Sequence, residues 1–350
     1  MKNPVIQRTL LAAALAAAVP SLALANPAAP MFYGTLHLSV DVQDSDAPGD
    51  DTAVNASSNA SFIGLRGNLQ LQPQLKVIYQ VEALVNLVQD TDFRVNRDTF
   101  LGATGDWGLV RIGRFDTPTK VLRSRIDLFN NQVGDARNVV HADGLDRRLN
   151  NSIHYRTPVW SGVTGNVQLS TNNADASNQP SGNRQDNDVF VYSVSIQHDT
   201  DHSYLAFSHD HDRDNREKAY RLAGYYDLGP ARLTALYQRT EKTPDAGATG
   251  IAAFDTQAWG VGLRYKVAPK VALKTQYYQL LIDNPADDKV SQIAVGADYQ
   301  YAPTLQFYAN YAFTDNDGPI RRTPYNVART STTQAGEKPS GFTVGTVFRF

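Results

Sequence analysis

His209, Asp210, His211 and Asp212 stand in a row, and imidazole and carboxylate are side chains that hold divalent metals. No His-Glu-x-x-His stretch accompanies them, and a solvated loop tip explains the row with fewer assumptions. The other histidines, His37, His141, His154, His198 and His202, are scattered. No glycine-rich phosphate loop appears, and no serine has the surroundings of a nucleophile. With no cysteine there is no thiol nucleophile, disulfide framework or thiolate metal site. The sequence therefore offers no catalytic residue, metal or cofactor. What it does offer is fixed charge: Arg66, Glu82, Arg111, Arg114, His154 and Arg156 in alternating runs, and a mixed cluster between residues 117 and 149. Charges of this kind, facing a water path, sort ions.

The elements that must position those charges alternate with period two, the signature of strands. In 304–314, Leu305, Phe307, Ala309, Tyr311 and Phe313 alternate with Gln306, Tyr308, Asn310 and Ala312. The same pattern runs through 32–40, 162–170, 271–281 and 292–300. It explains how a chain that is 42% hydrophobic has a mean hydropathy of −0.38. Sixteen such runs can be counted. Short turns at 72–74, 105–108, 157–160, 199–201, 227–230, 268–269 and 302–303 alternate strictly with longer polar connections. The longer ones cover about 43–58, 88–95, 117–149, 172–187, 211–216, 241–252, 283–289 and 315–338.

Residues 1–25 read as a secretory leader: Lys2 and Arg8, an apolar core over 10–19, Pro20, and Ala23-Leu24-Ala25 as the cleavage site. Removing those 25 residues and their two basic side chains from a 350-residue chain with 33 basic and 35 acidic side chains leaves 325 residues at about −4. So mild a charge gives no footprint for nucleic acid. No later apolar run is long enough for a membrane helix.

So many hairpins must hide their edges, and closure into a barrel removes them. The chain ends on "GFTVGTVFRF", an alternating strand closing on Phe350, and this strand is expected to pair with the run near Phe32. An apolar outer face, a polar inner face and short turns at one end describe an antiparallel transmembrane β-barrel of sixteen strands. A soluble β-sandwich would not require the strict short–long alternation.

The chain resembles Gram-negative general porins of the sixteen-stranded, trimeric kind, in the neisserial and β-proteobacterial branch. The resemblance rests on "SFIGLRGNLQLQPQLKVIYQVE" (61–82), "NRDTFLGATGDWGLVRIGRFDTP" (96–118), "NNSIHYRTPVW" (150–160) and the terminal "FRF", and covers essentially residues 26–350. It implies an outer-membrane homotrimer, set in outer-membrane lipid and lipopolysaccharide, that passes small hydrophilic solutes and ions by passive diffusion. It also implies that the third extracellular loop folds inward and faces wall arginines. Alternatives are a specific channel for small organic anions, a surface adhesin or receptor barrel, and a hydrolase, since some smaller outer-membrane barrels are phospholipases.

The connection 117–149 is the longest and third of the long set, so it takes the place of that loop; a structureless loop of this length is usually functional. It carries Arg123, Arg125, Asp127, Asp135, Asp143 and Asp146. Parity places Arg66, Arg111, His154 and Arg156 on the inner wall, with Glu82 an acidic candidate there. Arg114 has lipid-facing parity by counting. The resemblance puts the arginine of this Gly-Arg pair at the constriction, so a local bulge is expected to turn it inward. Relatives usually carry arginine where His154 stands, which implies a wall charge that weakens above pH ~6.5. Over lumen-parity positions Arg66, Arg111, Arg156, Arg221, Arg232, Arg264, Lys274 and Arg349 stand against Asp41, Glu82 and Asp298, and mild anion selectivity is the expectation.

Overall fold

The structure, a computed structural model, describes residues 29–49, 52–89, 94–140, 146–171, 191–213, 216–243, 253–325 and 333–350. The leader read over 1–25 lies outside the described residues. The strands are β1 (Met31–Asp44), β2 (Ala53–Ser58), β3 (Phe62–Gln72), β4 (Leu75–Leu84), β5 (Thr99–Gly105) and β6 (Gly108–Asp116). After helices α1 (Pro118–Ile126) and α2 (Arg137–Val140) come β7 (Arg148–Arg156), β8 (Val163–Ser170), β9 (Val191–Asp199), β10 (Ser203–Asp212) and β11 (Glu217–Leu228). β12 (Ala231–Lys242), β13 (Thr256–Ala268), β14 (Val271–Ile282), β15 (Lys289–Ala302), β16 (Leu305–Asn316) and β17 (Ser340–Arg349) complete the set.

All lie in one antiparallel sheet that closes on itself. β17 pairs with β1 from Thr35↔Arg349 to Asp44↔Ser340. The terminal residue joins the closure: Gly34 N–H donates to Phe350 O (3.0 Å) and Phe350 N–H to Gly34 O (3.2 Å). β2 and β3 both pair with β1 and act as one spanning strand, so sixteen strands cross. At their junction Ala60 adopts φ +58°. There Asn59 N–H (2.7 Å) and Ser61 Oγ (3.1 Å) donate to His37 O, while His37 N–H donates to Ser61 Oγ (2.9 Å). A side-chain hydroxyl thus replaces one rung of the ladder.

All seven tight turns fall where the sequence puts them. The first long connection is shorter than expected. Residues 53–58, "AVNASS", are small and polar and read as loop, yet the β1 backbone captures them as strand. The connection after β6 is also not structureless. Thr117 caps α1 by accepting from Lys120 N–H (3.2 Å), and Pro118 sits in its first turn.

The two faces separate as parity requires. On β10, Leu205 and Phe207 are 57% and 43% exposed, and Ala206 and Ser208 are buried. The inner face is fitted closely in places. Tyr278 lies across Gly260, its register partner on β13, so a Cβ at Gly260 would meet the ring at 2.1 Å. Tyr308 covers Gly345 in the same way. Gly260→Val should therefore lower stability by about 1–3 kcal/mol through overpacking. Thermal unfolding in detergent checks this, and an unchanged midpoint would mean that the ring moves aside freely.

Candidate functional site

Arg123, from the buried side of α1, organises the segment after β6. Its Nε donates to Asp146 (2.6 Å), and its Nη1 to Asp127 (3.0 Å) and Asp135 (3.0 Å). All four side chains are withdrawn from water. Burial works to lower the Arg123 pKa, but the three carboxylates together raise it above its ordinary value. Asp127 also accepts from Phe129 N–H, Ala136 N–H and Gln276 Nε2, each at 3.0 Å. Its ligands are thus the segment's own turns and one wall residue.

The segment is fastened to the buried side chains of β10–β16. Thr119 Oγ1 donates to Asp210 (2.6 Å), and Arg221 donates to Thr119 O (2.7 Å) and Asp146 (3.4 Å). Leu128 N–H donates to Gln276 (3.1 Å), Lys274 Nζ to Gln132 (2.7 Å), and Gln276 and Gln292 to Gly134 O (2.8 and 2.9 Å). Phe129 and Val133 pack on Ala294 and Ala312, while Leu122, Ile126, Val139 and Val140 join a cluster containing Leu236, Tyr278 and Leu280. Asp143 lies outside the described residues.

On its other side α1 faces β6–β9 across a cavity of about 290 Å3. Arg111, His154, Arg156 and Asn166 line the wall, and Pro118, Val121, Leu122 and Arg125 line the helix. Arg111 lies over Phe115 (4.1 Å) and Phe100 (4.9 Å), and its Nε donates to His154 Nδ1 (3.1 Å). No carboxylate of the described residues pairs with Arg111 or Arg156. Arg125 is paired, with both Nη atoms on Asp199 (2.6 and 3.1 Å) and its guanidinium over Tyr204 (3.8 Å).

His154 differs from the expectation of a titrating wall charge. It is buried, its Nδ1 accepts from Arg111, and its Nε2 meets Asn166 Oδ1 (3.2 Å). An acceptor at Nδ1 and a donor at Nε2 make the neutral ring, so its role is to hold Arg111. Around Arg114 a bulge does occur, but on the partner strand. Asn150 and Asn151 (φ +47°) together oppose Arg114, whose guanidinium bonds Asn96 O and the Asn150 side chain. Arg66 lies over Tyr33 (4.5 Å), outside the cavity's lining. Glu82 accepts from Tyr33 (2.7 Å), Gln80 (3.0 Å) and Arg97 (3.4 Å). Arg97, Lys120 and Arg148 escape a parity reading because they sit at or beyond strand ends. Lys120 and Arg148 share Asp116 (2.8 and 3.1 Å). Burial lowers the Lys120 pKa against the pull of Asp116.

The His209–Asp212 row is the end of β10 rather than a loop tip. The strand turns the two aspartates inward to burial and leaves the histidines on the half-exposed outer side. Among the described residues no group of three or more His, Cys, Asp or Glu is placed to hold a metal ion.

Residues 12–319 match the family model described as Gram-negative porin. The chain is 28% identical to outer membrane porin protein 32 of Delftia acidovorans, over 97% of this chain and 99% of that one. It is 27% identical to major outer membrane protein P.IB of Neisseria meningitidis, over 86% and 90%. Among solved structures, an anion-selective porin from Comamonas acidovorans superposes with a TM-score of 0.78 at 22% identity, covering 93% of this chain and 100% of that one. OmpT of Vibrio cholerae in its trimer form gives 0.66 at 16%, covering 92% and 99%.

Removing a cation from among three buried carboxylates costs about 3–5 kcal/mol. Arg123→Met should therefore loosen the segment at 117–140. Single-channel recording should show a larger, noisier current, and the segment should become open to protease. A quiet current of unchanged size would mean that the apolar contacts alone hold it.

Proposed function

The chain belongs to the Gram-negative porin family, and from that premise we propose how its lumen sorts solutes. Porins are channels rather than enzymes; this one is an outer-membrane barrel that lets small hydrophilic solutes diffuse passively. In our reading the 117–149 connection is the third extracellular loop, folded into the lumen, and the path is narrowest between α1 and the wall of β6–β9. The path prefers anions mildly.

One observation carries the preference. Four of the eight expected lumen cations are neutralised at short range: Arg221 by Asp146, Arg232 by Asp227 (2.7 Å), and Lys274 and Arg264 by Asp298 (2.8 and 3.7 Å). Arg111 and Arg156 line the cavity and form no ion pair with a described carboxylate. An unmatched charge beside a water path acts on passing ions, whereas a paired one largely cancels itself.

We further propose export through a leader cleaved after Ala25, contact with outer-membrane lipid and lipopolysaccharide, and assembly as a homotrimer. Support for the trimer comes from the outer surface. On the strands β2–β6 the exposed large side chains are aliphatic: Val54, Leu65, Val81, Leu101 and Ile112, with Trp107 the aromatic exception at the β5–β6 turn. On β10–β17 Phe207, Tyr226, Tyr237, Trp259, Tyr299, Phe307 and Phe348 give the aromatic belts that suit a lipid interface. A face whose strands expose mainly aliphatic side chains suits burial against further copies.

In planar bilayers a salt gradient should give a chloride-over-potassium permeability ratio above one. Arg156→Glu should lower it about two- to threefold, since two units of charge change beside a partly screened path. A wild-type preference for potassium would overturn the reading. Leu65→Lys should reduce the mass of the detergent-solubilised particle to that of one chain; an unchanged trimer mass would exclude this face as the interface.

A further inference from the structure

The cavity between α1 and β6–β9 has two unlike sides, and the difference says more than ion preference. The wall side presents Arg111 and Arg156, both without an acid partner among the described residues. A short relay fixes that side. Arg111 donates to His154 Nδ1 (3.1 Å), His154 Nε2 meets Asn166 Oδ1 (3.2 Å), and Asn166 Nδ2 donates to Ser195 Oγ (3.1 Å). The Arg111 Nε donor is used up within the relay and its plane is held on Phe115 and Phe100, so its Nη donors remain for a solute. The helix side presents Val121, backed by the buried Pro118 and Leu122. Val121 stays 40% exposed, one helical turn from Arg125, in a segment whose other apolar residues are mostly buried. The one carboxylate in the lining, Asp116, is already shared by Arg148 and Lys120.

We propose that this cavity is a transient binding subsite for small monocarboxylates with an apolar flank. The carboxylate meets the Arg111 and Arg156 guanidiniums, and the flank covers the exposed Val121 side chain. A bare carboxylate such as acetate gains only the charge contact. A neutral solute of the same shape gains only the apolar contact. An aromatic or branched carboxylate gains both, and is held longer while it passes. The inference rests on the anion-selective reading above and adds a solute class to it.

The probe is benzoate, with acetate and benzamide as matched controls, added to single channels carrying a chloride current. Covering about 50 Å2 of apolar surface corresponds to roughly five- to tenfold tighter retention of benzoate than of acetate. The expected result is that benzoate reduces the chloride current at concentrations where acetate and benzamide do not. Val121→Ser should bring benzoate to the level of acetate, and Arg156→Gln should weaken the benzoate effect. Val121 is solvent-facing, so its replacement leaves the buried anchors of the segment in place. The chloride-over-potassium ratio, recorded in the same membranes before benzoate is added, separates the two readings. Equal behaviour of benzoate and acetate in a wild-type channel that prefers chloride overturns the subsite and leaves the anion reading standing. So does a benzoate effect that survives Val121→Ser at full size, because the flank then binds elsewhere. A wild-type channel with no chloride preference removes both.

Discussion

A backbone amide in hydrocarbon has no water to bond, and each unpaired one costs several kcal/mol. The rest of the molecule answers to this constraint. It requires that β17 find β1 and that the pairing run to the last residue, where Phe350 and Gly34 exchange both of their hydrogen bonds. It also explains the junction between β2 and β3. There the ladder must break to pass Ala60, and Ser61 Oγ takes the place of a backbone partner for His37. A closed wall is then sealed outside by apolar side chains, and its inner face is free to be polar. Function enters through that freedom.

The inner face uses it in two ways. On β10–β16 it anchors the 117–140 segment, with Gln276, Gln292 and Lys274 reaching backbone carbonyls and side chains at its turns. On β6–β9 it leaves room, and Arg111 and Arg156 there form no ion pair with a described carboxylate. The division follows from where the carboxylates go. Asp127, Asp135 and Asp146 turn back on Arg123, and Asp146 also meets Arg221 of the wall, so a charge-rich segment packs with its carboxylates gathered on guanidiniums. A segment of the same composition without that knot would remain solvated, because several unmatched charges could not be desolvated together.

Much of this was legible in the sequence, and the physical reason is the pleat. Period-two alternation gives the face of each strand residue, and turn-forming residues give the ends, so the barrel, its seven tight turns and its closing strand could all be read. Arg111 and Arg156, which parity assigns to the inner wall, both line the cavity beside α1. Three things resisted. Residues 53–58 carry too little apolar signal to announce a strand, because the registry of β1 rather than their own propensity selects it. The helix α1 was marked by Thr117-Pro118, a cap and a first-turn proline, but the length of the connection masked it. Pairing resisted most. Parity says which side a charge faces, and is silent on what stands beside it.

That silence bears directly on selectivity. Counting lumen-parity cations treats Arg221 and Arg156 alike, yet Arg221 is buried with its guanidinium on Thr119 O, Asp146 and Gln238, while Arg156 faces the cavity. His154 shows the same point from the other side. It replaces an expected cation with a neutral acceptor, and so removes a charge while fixing the direction of the neighbouring one. A guanidinium held by two aromatic rings and one imidazole nitrogen loses little freedom when an anion arrives, so more of the contact energy appears as binding. In the proposed reading, passage is governed less by how many cations line the path than by which are left unmatched and held still.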